Sequence, residues 1–127
     1  MTHEISYRVY YEDTDAGGVV YHANFLRFSE RARTEWLREI GFNQSNLDVL
    51  FVVRRIEIDY LAPGKLDHII TVKTTLQNIS RASITLNQDF YEGEKLLAKS
   101  VVVIVCVGRD EIRPVSIPDE IRAKMTK

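Results

Sequence analysis

The sequence contains one cysteine, no long apolar run and almost no net charge. Its 17 Lys and Arg residues against 18 Asp and Glu residues leave a formal charge of -1. This balance does not indicate a nucleic acid or an anionic membrane as a partner. The single cysteine, Cys106, has no second thiol with which to form an internal disulfide, and its apolar neighbours indicate a small core residue.

The sequence also predicts no segment that would direct the chain out of the cell or anchor it in a membrane. The apolar run Val101–Val107 is 7 residues long, far short of the ~20 residues that span a bilayer. The first residues, Met1 to Glu4, contain no cationic stretch followed by an apolar one, as a secretory signal would. We therefore expect no membrane insertion and a cytoplasmic location.

The 127 residues suffice for one domain, 1–127, and leave no room for a second independent core. Five segments have the β-branched and aromatic content of strands. They are 5–11, 51–61, 68–78, 82–91 and 96–108. Segment 51–61 alternates most regularly, which predicts Val52 and Ile56 on the same face of a strand.

One long helix is predicted at 23–40. Its apolar residues recur at i, i+3, i+7 and i+11 and so form a single stripe. They are Phe25, Phe28, Ala32 and Trp36. Gly41 follows directly and is typical of a helix end. A second, shorter helix is predicted at 44–50.

This order of elements predicts an α+β fold. Strands two to five are expected to pair as an antiparallel meander, with the one long helix packed on a curved five-stranded antiparallel sheet. One helix covers only one face of such a sheet, and the last strand is apolar on both faces. Both features favour assembly into a homo-oligomer.

An acidic, glycine-containing segment, Tyr11–Phe25, lies between the first strand and the helix. Its three acids, Glu12, Asp13 and Asp15, and its paired glycines suit neither helix nor strand, so a shaped loop is expected. The loop leads to the helix start near His22, where unpaired N–H groups and the positive end of the helix dipole are exposed. A carboxylate beside a helix start offers a base or nucleophile together with an oxyanion site.

Two other interpretations of this loop are open at this point. Acidic, glycine-rich loops before helices are common as caps and turns without any catalytic role. The second interpretation is a calcium-binding loop. The spacing of the residues does not suit one, because Val19, Val20 and Tyr21 stand where oxygen ligands are needed. These three residues suit an apolar wall for a ligand tail instead. We expect neither a metal nor a cofactor.

The loop resembles the signature of the 4-hydroxybenzoyl-CoA thioesterase family of hotdog-fold proteins. The shared pattern is Tyr11-x-Asp13-Thr14-Asp15-x-x-Gly18-x-Val20-Tyr21-x-x-x-Phe25. The run Tyr10–Ala23 is similar to that of the YbgC-type acyl-CoA thioesterases, which are associated with the Tol-Pal system. Four further segments agree with that type: Glu30–Glu35, Phe51–Arg54, Tyr60–Pro63 and Val105–Val107.

The resemblance implies a hotdog fold and thioester hydrolysis, with Asp15 as the catalytic carboxylate. It also implies dimers assembled into tetramers, a dimer of dimers, with coenzyme A lying along the dimer interface. The expected substrate is an acyl-CoA, or a thioester of acyl carrier protein. Arg81 stands in a turn where benzoyl-type members carry a basic cluster for the coenzyme A phosphates, although a solvated turn residue is the alternative.

The residues also suit this chemistry without a Ser-His-Asp triad, for which the sequence has no nucleophile elbow. A thioester has a reactive carbonyl and a thiol leaving group of pKa ~8.5 if that thiol resembles cysteine. Asp15 is predicted as general base or nucleophile, strengthened by desolvation between Val19, Val20 and Tyr21. The helix N–H near His22 would polarise the carbonyl, and the His22 side chain would position substrate or water.

Two other functions compete with hydrolysis as interpretations of this sequence. A hotdog hydratase or dehydratase is disfavoured because its expected Asp-His pair is not found at the right place in this sequence. A non-catalytic hotdog module that binds acyl-CoA or acyl carrier protein is the remaining alternative. It has no need of the Asp15 carboxylate, whose presence favours an enzyme. Asp13 is predicted to be structural and to hold the loop through backbone N–H groups.

Overall fold

The computed structural model describes residues 2–127, and Met1, the first residue of the expected domain, lies outside the described residues. Within them the chain forms five strands, two α-helices and two short 3-10 turns. In chain order these are β1 (Thr2–Arg8), the turn Tyr11–Asp13, α1 (His22–Glu39), the turn Gln44–Asn46, β2 (Val49–Tyr60), β3 (Ile69–Ile79), β4 (Ser83–Glu92), β5 (Lys95–Gly108) and α2 (Asp119–Met125). The five predicted strands and the long helix are confirmed.

All five strands form one antiparallel sheet with the order β1-β3-β4-β5-β2. The predicted meander is correct for β3, β4 and β5 but wrong for β2, which pairs with β5 instead of β3. This order gives β5, the most apolar strand, a hydrogen-bonded neighbour on each side. Because Val101–Val107 is apolar on both faces, an inner position suits β5 better than an edge.

Helix α1 packs on the sheet through the predicted apolar stripe. Phe25, Phe28, Ala32 and Trp36 are each 3% exposed or less. The first three belong to a core cluster that includes Phe90, whereas Trp36 belongs to a second cluster. At about 1.5 Å for each of its 18 residues, α1 is about 27 Å long and therefore reaches both clusters.

The prediction of a short helix at 44–50 is wrong. Only Gln44–Asn46 forms a 3-10 turn, and the residues from Val49 onward belong to β2. The side chain of Asn43 accepts a hydrogen bond from Ser45 N at 3.0 Å. This local bond stabilises a turn and competes with helix formation.

Helix α2 was not predicted, so the expectation of a single long helix on the sheet needs correction. It has 7 residues, too few for an apolar stripe to stand out in the sequence. Its buried residues, Ile121 and Met125, pack in the same cluster as Trp36. Neither α1 nor α2, the helices of the described chain, is both long enough and apolar enough to cross a membrane.

Strand β2 is irregular in its middle, where the register shifts between Val53 and Arg55. Phe51 and Ile56 both pack against the Trp36 cluster although they are an odd number of residues apart. A regular strand would place them on opposite faces, and a bulge reverses this. The predicted alternation is therefore wrong at Val52, which is 37% exposed and does not share the face of Ile56.

Candidate active site

Asp13 holds the loop between β1 and α1. Its Oδ2 atom accepts a hydrogen bond from Tyr10 N at 2.9 Å. Its carbonyl oxygen accepts from Tyr21 N at 3.0 Å and from Nδ2 of the buried Asn24 at 2.7 Å. Asp13 thus ties both ends of the loop to the start of α1, in agreement with the structural role predicted for it.

Asp15 lies in a tight turn that leaves part of its carboxylate open. Asp15 N donates to Val19 O at 2.8 Å, and Gly18 N donates to Asp15 O at 3.0 Å. Gly18 has a φ of 79°, a left-handed conformation that costs a residue with a side chain about 1–2 kcal/mol. Asp15 Oδ1 accepts from Gly17 N at 2.8 Å, whereas Oδ2 accepts no hydrogen bond from any group in residues 2–127. The second oxygen is available to water or substrate.

Val19 and Val20 attach the loop to the segment that follows β2. Val20 N donates to Gly64 O at 2.7 Å, and Val19 forms an isolated β-bridge with Lys65. Val20 is 6% exposed. A Cβ atom at Gly64 would lie 3.0 Å from Val20 Cγ2, so a side chain there would push the two segments apart.

Helix α1 begins at His22 without a side-chain cap. Tyr21 occupies the N-cap position in an extended conformation, and no acidic side chain lies in the first turn. Asn24 N donates to Tyr21 O at 2.8 Å, but the N–H groups of His22 and Ala23 have no acceptor among the described residues. The positive end of the helix is therefore open to a ligand.

Asp15 and His22 line the same cleft, which has a volume of about 410 Å³. The other lining residues are Val19, Val20, Phe25 and 60–64. Tyr21 lies at its margin: it is 48% exposed, and its ring centroid is 4.5 Å from that of His22. Asp15 is exposed in the single chain, so the expected enclosure of its carboxylate is incomplete within one protomer.

Arg81 lies far from this cleft within one chain. It occupies the β3–β4 turn, whereas the cleft is bordered by the segment that leads into the other end of β3. At about 3.3 Å per residue, β3 spans about 33 Å. Arg81 Nη1 donates to Ser116 Oγ at 3.0 Å. Any contact between Arg81 and a substrate at Asp15 would have to come from another protomer.

Tyr60 also lines the cleft, although no role was predicted for it from the sequence. Its hydroxyl donates to His22 O at 2.9 Å. Its ring lies edge-on to those of His22 and Phe25, with centroid distances of 6.2 and 5.5 Å. Burial raises the pKa of the Tyr60 hydroxyl. The feature of the sequence that could have indicated Tyr60 is its position in Tyr60–Pro63, one of the four further segments that agree with the YbgC-type thioesterases.

A second cavity, of about 320 Å³, lies beside the C-terminal half of α1 and is more enclosed than the cleft. Its walls are mostly apolar and include Trp36, Phe51 and Met125. The half-buried Arg33 donates to Ser29 Oγ at 2.8 Å and to Gln88 Oε1 at 3.1 Å, and its partial burial lowers the pKa of the guanidinium. The residues that line this cavity include neither the start of α1 nor any of the predicted site residues.

The titratable side chains that line the Asp15 cleft are Asp15, His22 and Tyr60. No group of three or more His, Cys, Asp or Glu side chains in residues 2–127 is placed to hold a metal ion. Cys106 is buried, and burial raises the pKa of its thiol, which lowers the fraction of nucleophilic thiolate. The cleft can therefore supply a carboxylate, an imidazole, a phenol and the N–H groups of a helix start.

Comparison with known proteins relates this geometry to a protein family. A model of the Thioesterase-like superfamily matches residues 9–125, which include the Asp15 loop, α1 and the whole of β2 to β5. The chain belongs to the Thioesterase-like superfamily. The resemblance seen in the loop residues is thereby confirmed, and with it the prediction that the chain belongs to a family of thioester hydrolases.

Individual relatives agree with this assignment. The chain is 44% identical to the acyl-CoA thioesterase YbgC of Haemophilus influenzae over 120 residues, which cover 91% of this chain and 88% of the relative. The crystal structure of a probable thioesterase from Bartonella henselae is 36% identical, with a TM-score of 0.88 over 93% of this chain and all of that one.

A more distant structure supports the fold alone. The 1,4-dihydroxy-2-naphthoyl-CoA thioesterase of Synechocystis is 24% identical, with a TM-score of 0.92 over 100% of this chain and 97% of that chain. The predicted hotdog fold, with its five-stranded antiparallel sheet, is confirmed.

Proposed function

We propose that this protein is an acyl-CoA thioesterase, which hydrolyses acyl thioesters to the free acid and coenzyme A. The observation that carries the proposal is the Asp15 carboxylate, which has one oxygen unbonded within the described chain and shares a cleft with an uncapped helix start. The Haemophilus influenzae relative bears the name of an acyl-CoA thioesterase, which supports the same substrate class.

Asp15 acts in this proposal as general base or as nucleophile. As a base, its Oδ2 atom takes a proton from a water molecule whose oxygen attacks the thioester carbonyl. As a nucleophile, the same oxygen attacks the carbonyl and forms an anhydride, which water then cleaves. In both routes the carbon–sulfur bond breaks, and coenzyme A leaves as a thiolate that takes up a proton.

The start of α1 supplies the second part of the mechanism. The N–H groups of His22 and Ala23 lie at the positive end of the helix and stabilise the negative charge that develops on the carbonyl oxygen. The His22 imidazole lines the cleft and positions substrate or water. Val20 and Tyr21 provide apolar contacts beside the thioester, Val20 within the cleft and Tyr21 at its margin.

The proposal includes assembly into a homo-oligomer, a dimer of dimers. Strand β2 is the last strand of the sheet order, and its residues Val52 and Val53 are 37% and 44% exposed. A second protomer beside the open cleft would complete the enclosure of Asp15. Arg81 from another protomer is proposed to bind the coenzyme A phosphates. A cytoplasmic location fits the single buried cysteine and remains a prediction from the sequence.

Release of free thiol from a panel of substrates tests this function. The panel contains acyl-CoAs with short aliphatic, long aliphatic and aromatic acyl groups, and one acyl carrier protein thioester. We expect saturable thiol release from at least one acyl-CoA. Saturable binding without turnover across the whole panel would overturn the proposal and favour the non-catalytic binding module.

Light scattering after size-exclusion chromatography tests the assembly. We expect a mass of four chains that does not change on dilution through the working range of the enzyme. A monomer that hydrolyses substrate at full rate would contradict the proposal that a second protomer completes the site.

A further inference from the structure

We propose that Tyr60 is a positioning residue that fixes the first turn of α1, so that the helix N–H groups and the His22 imidazole are held at the Asp15 cleft. This inference rests on the proposed function. It concerns a residue at the last position of β2, which comes 38 residues after the helix start in the sequence and meets it only through the fold.

The hydroxyl of Tyr60 is directed at the helix start itself. It donates to the carbonyl oxygen of His22, the first residue of α1, at 2.9 Å. Asn24 secures the same turn from the loop side through its bond to Asp13 O. The two bonds come from different elements, so the turn is held between the loop and the sheet although it has no N-cap bond.

The ring of Tyr60 fixes the imidazole at the same time. It lies edge-on to His22 on one side and to Phe25 on the other, with centroid distances of 6.2 and 5.5 Å. Phe25 is 3% exposed and lies edge-on to the fully buried Phe90 at 5.2 Å. Tyr60 therefore connects an exposed cleft residue to the rigid core.

The end of β2 is itself well anchored. Leu61 N and Ala62 N both donate to Leu97 O, at 2.8 and 3.0 Å. Tyr60 is 45% exposed, so its side chain contributes less to the core than a fully buried aromatic ring would. The phenol is a neutral donor at neutral pH, as tyrosine ordinarily is, and burial raises the pKa of its hydroxyl further. A phenylalanine would make the same ring contacts, and only the bond to His22 O requires the hydroxyl.

Steady-state kinetics of Tyr60→Phe test this role. We expect kcat to fall about 10-fold, the loss of one well-placed hydrogen bond, with KM unchanged within about twofold and the thermal midpoint close to wild type. Tyr91→Phe is the matched control, because Tyr91 is a half-buried tyrosine of β4 that does not line the cleft. It should keep wild-type kcat.

Amide hydrogen exchange gives a second readout that is independent of turnover. In Tyr60→Phe the hydrogen-bonded amides of the first turn of α1, such as that of Asn24, which donates to Tyr21 O, should exchange at least about threefold faster, with those around Trp36 unchanged. Wild-type exchange in that turn would overturn the inference whether or not the protein turns over acyl-CoA. If the wild-type enzyme is active, an unchanged kcat in Tyr60→Phe would also overturn the inference. A fall in kcat that is fully explained by a loss of folded protein would overturn it as well. Absence of activity in the wild type would instead overturn the proposed function.

Discussion

The two ends of α1 lie on the same sheet, yet their surroundings differ. At the C-terminal end, Trp36 and Leu37 are 2% and 4% exposed and pack in the cluster that contains residues of α2. At the N-terminal end, His22 is exposed and no side chain caps the helix. A good N-cap would add about 1 kcal/mol of stability, so the open end forgoes stability that Ser, Thr, Asp or Asn at Tyr21 would provide. In the proposed function, the buried end provides stability and the open end provides chemistry.

The polar groups between the two ends show the same contrast. Gln88 is fully buried under the middle of α1, and its Nε2 atom donates to Ser29 O at 3.1 Å and to Thr74 Oγ1 at 3.0 Å. Its Oε1 atom accepts from the Ser29 hydroxyl and from Arg33. Both polar atoms of the Gln88 amide are thus paired, as is usual for buried polar groups. The N–H groups of His22 and Ala23 at the helix start, by contrast, have no acceptor among the described residues.

Replacement of Trp36 disrupts the packing at the buried C-terminal end of α1 and has the largest expected effect on stability. Trp36→Ala should lower the free energy of unfolding by about 3–5 kcal/mol, because it removes a large side chain from a packed cluster. Urea denaturation measures the loss. The fraction that remains folded should hydrolyse thioester with near wild-type kcat, since Trp36 does not line the cleft. A large fall in kcat of the folded fraction would show that the two ends are not separate in function.

Replacement of Asn24 removes a hydrogen bond at the open N-terminal end of α1. Asn24→Ala removes the bond from Nδ2 to Asp13 O and should cost about 1 kcal/mol of stability. Because that bond secures the Asp15 loop to the helix start, kcat should fall about 10-fold, a larger functional effect than that of Trp36→Ala. Asn87→Ala, on a half-buried residue of β4 outside the cleft, is the matched control. Equal kinetic effects of the two variants would refute the role given to Asn24.

Replacement of Cys106 has the smallest expected effect. Cys106→Ala should cost about 1 kcal/mol of stability or less and leave kcat unchanged, because the thiol is buried in the Trp36 cluster. The raised pKa of that thiol also predicts slow alkylation of the native enzyme by iodoacetamide at neutral pH. Rapid alkylation with matching loss of activity would contradict an aspartate-based mechanism.

Features that depend on local patterns could be predicted from the sequence. The apolar stripe from Phe25 to Trp36 predicted α1, and the continuous apolar run Val101–Val107 predicted β5. Both patterns involve residues that are close together in the sequence. The position of β2 beside β5 could not be predicted, because strand pairing depends on contacts between residues far apart in the sequence. The bulge near Arg55 likewise leaves no local signal, and it reversed the face expected for Val52.

The same distinction applies to the candidate site. Asp15 and His22 lie in one contiguous loop and helix start, so the sequence could indicate that they are neighbours, and they line one cleft. Tyr60 comes 38 residues after His22 in the sequence and reaches the cleft only through the tertiary fold, which is why it was missed. Arg81 was selected by resemblance, and its contact with substrate depends on an assembly that one chain does not contain.

The kcat of Asp15→Asn tests the central claim most directly. The substituted side chain keeps an oxygen that can accept from Gly17 N, so the turn and the thermal midpoint should be preserved while the base or nucleophile is lost. We predict that kcat for the best acyl-CoA of the panel falls at least about 10³-fold. Asp110→Asn, at an exposed position after β5, should keep wild-type kcat. A folded Asp15→Asn enzyme with kcat within about tenfold of wild type would contradict the assignment of Asp15 as the catalytic carboxylate.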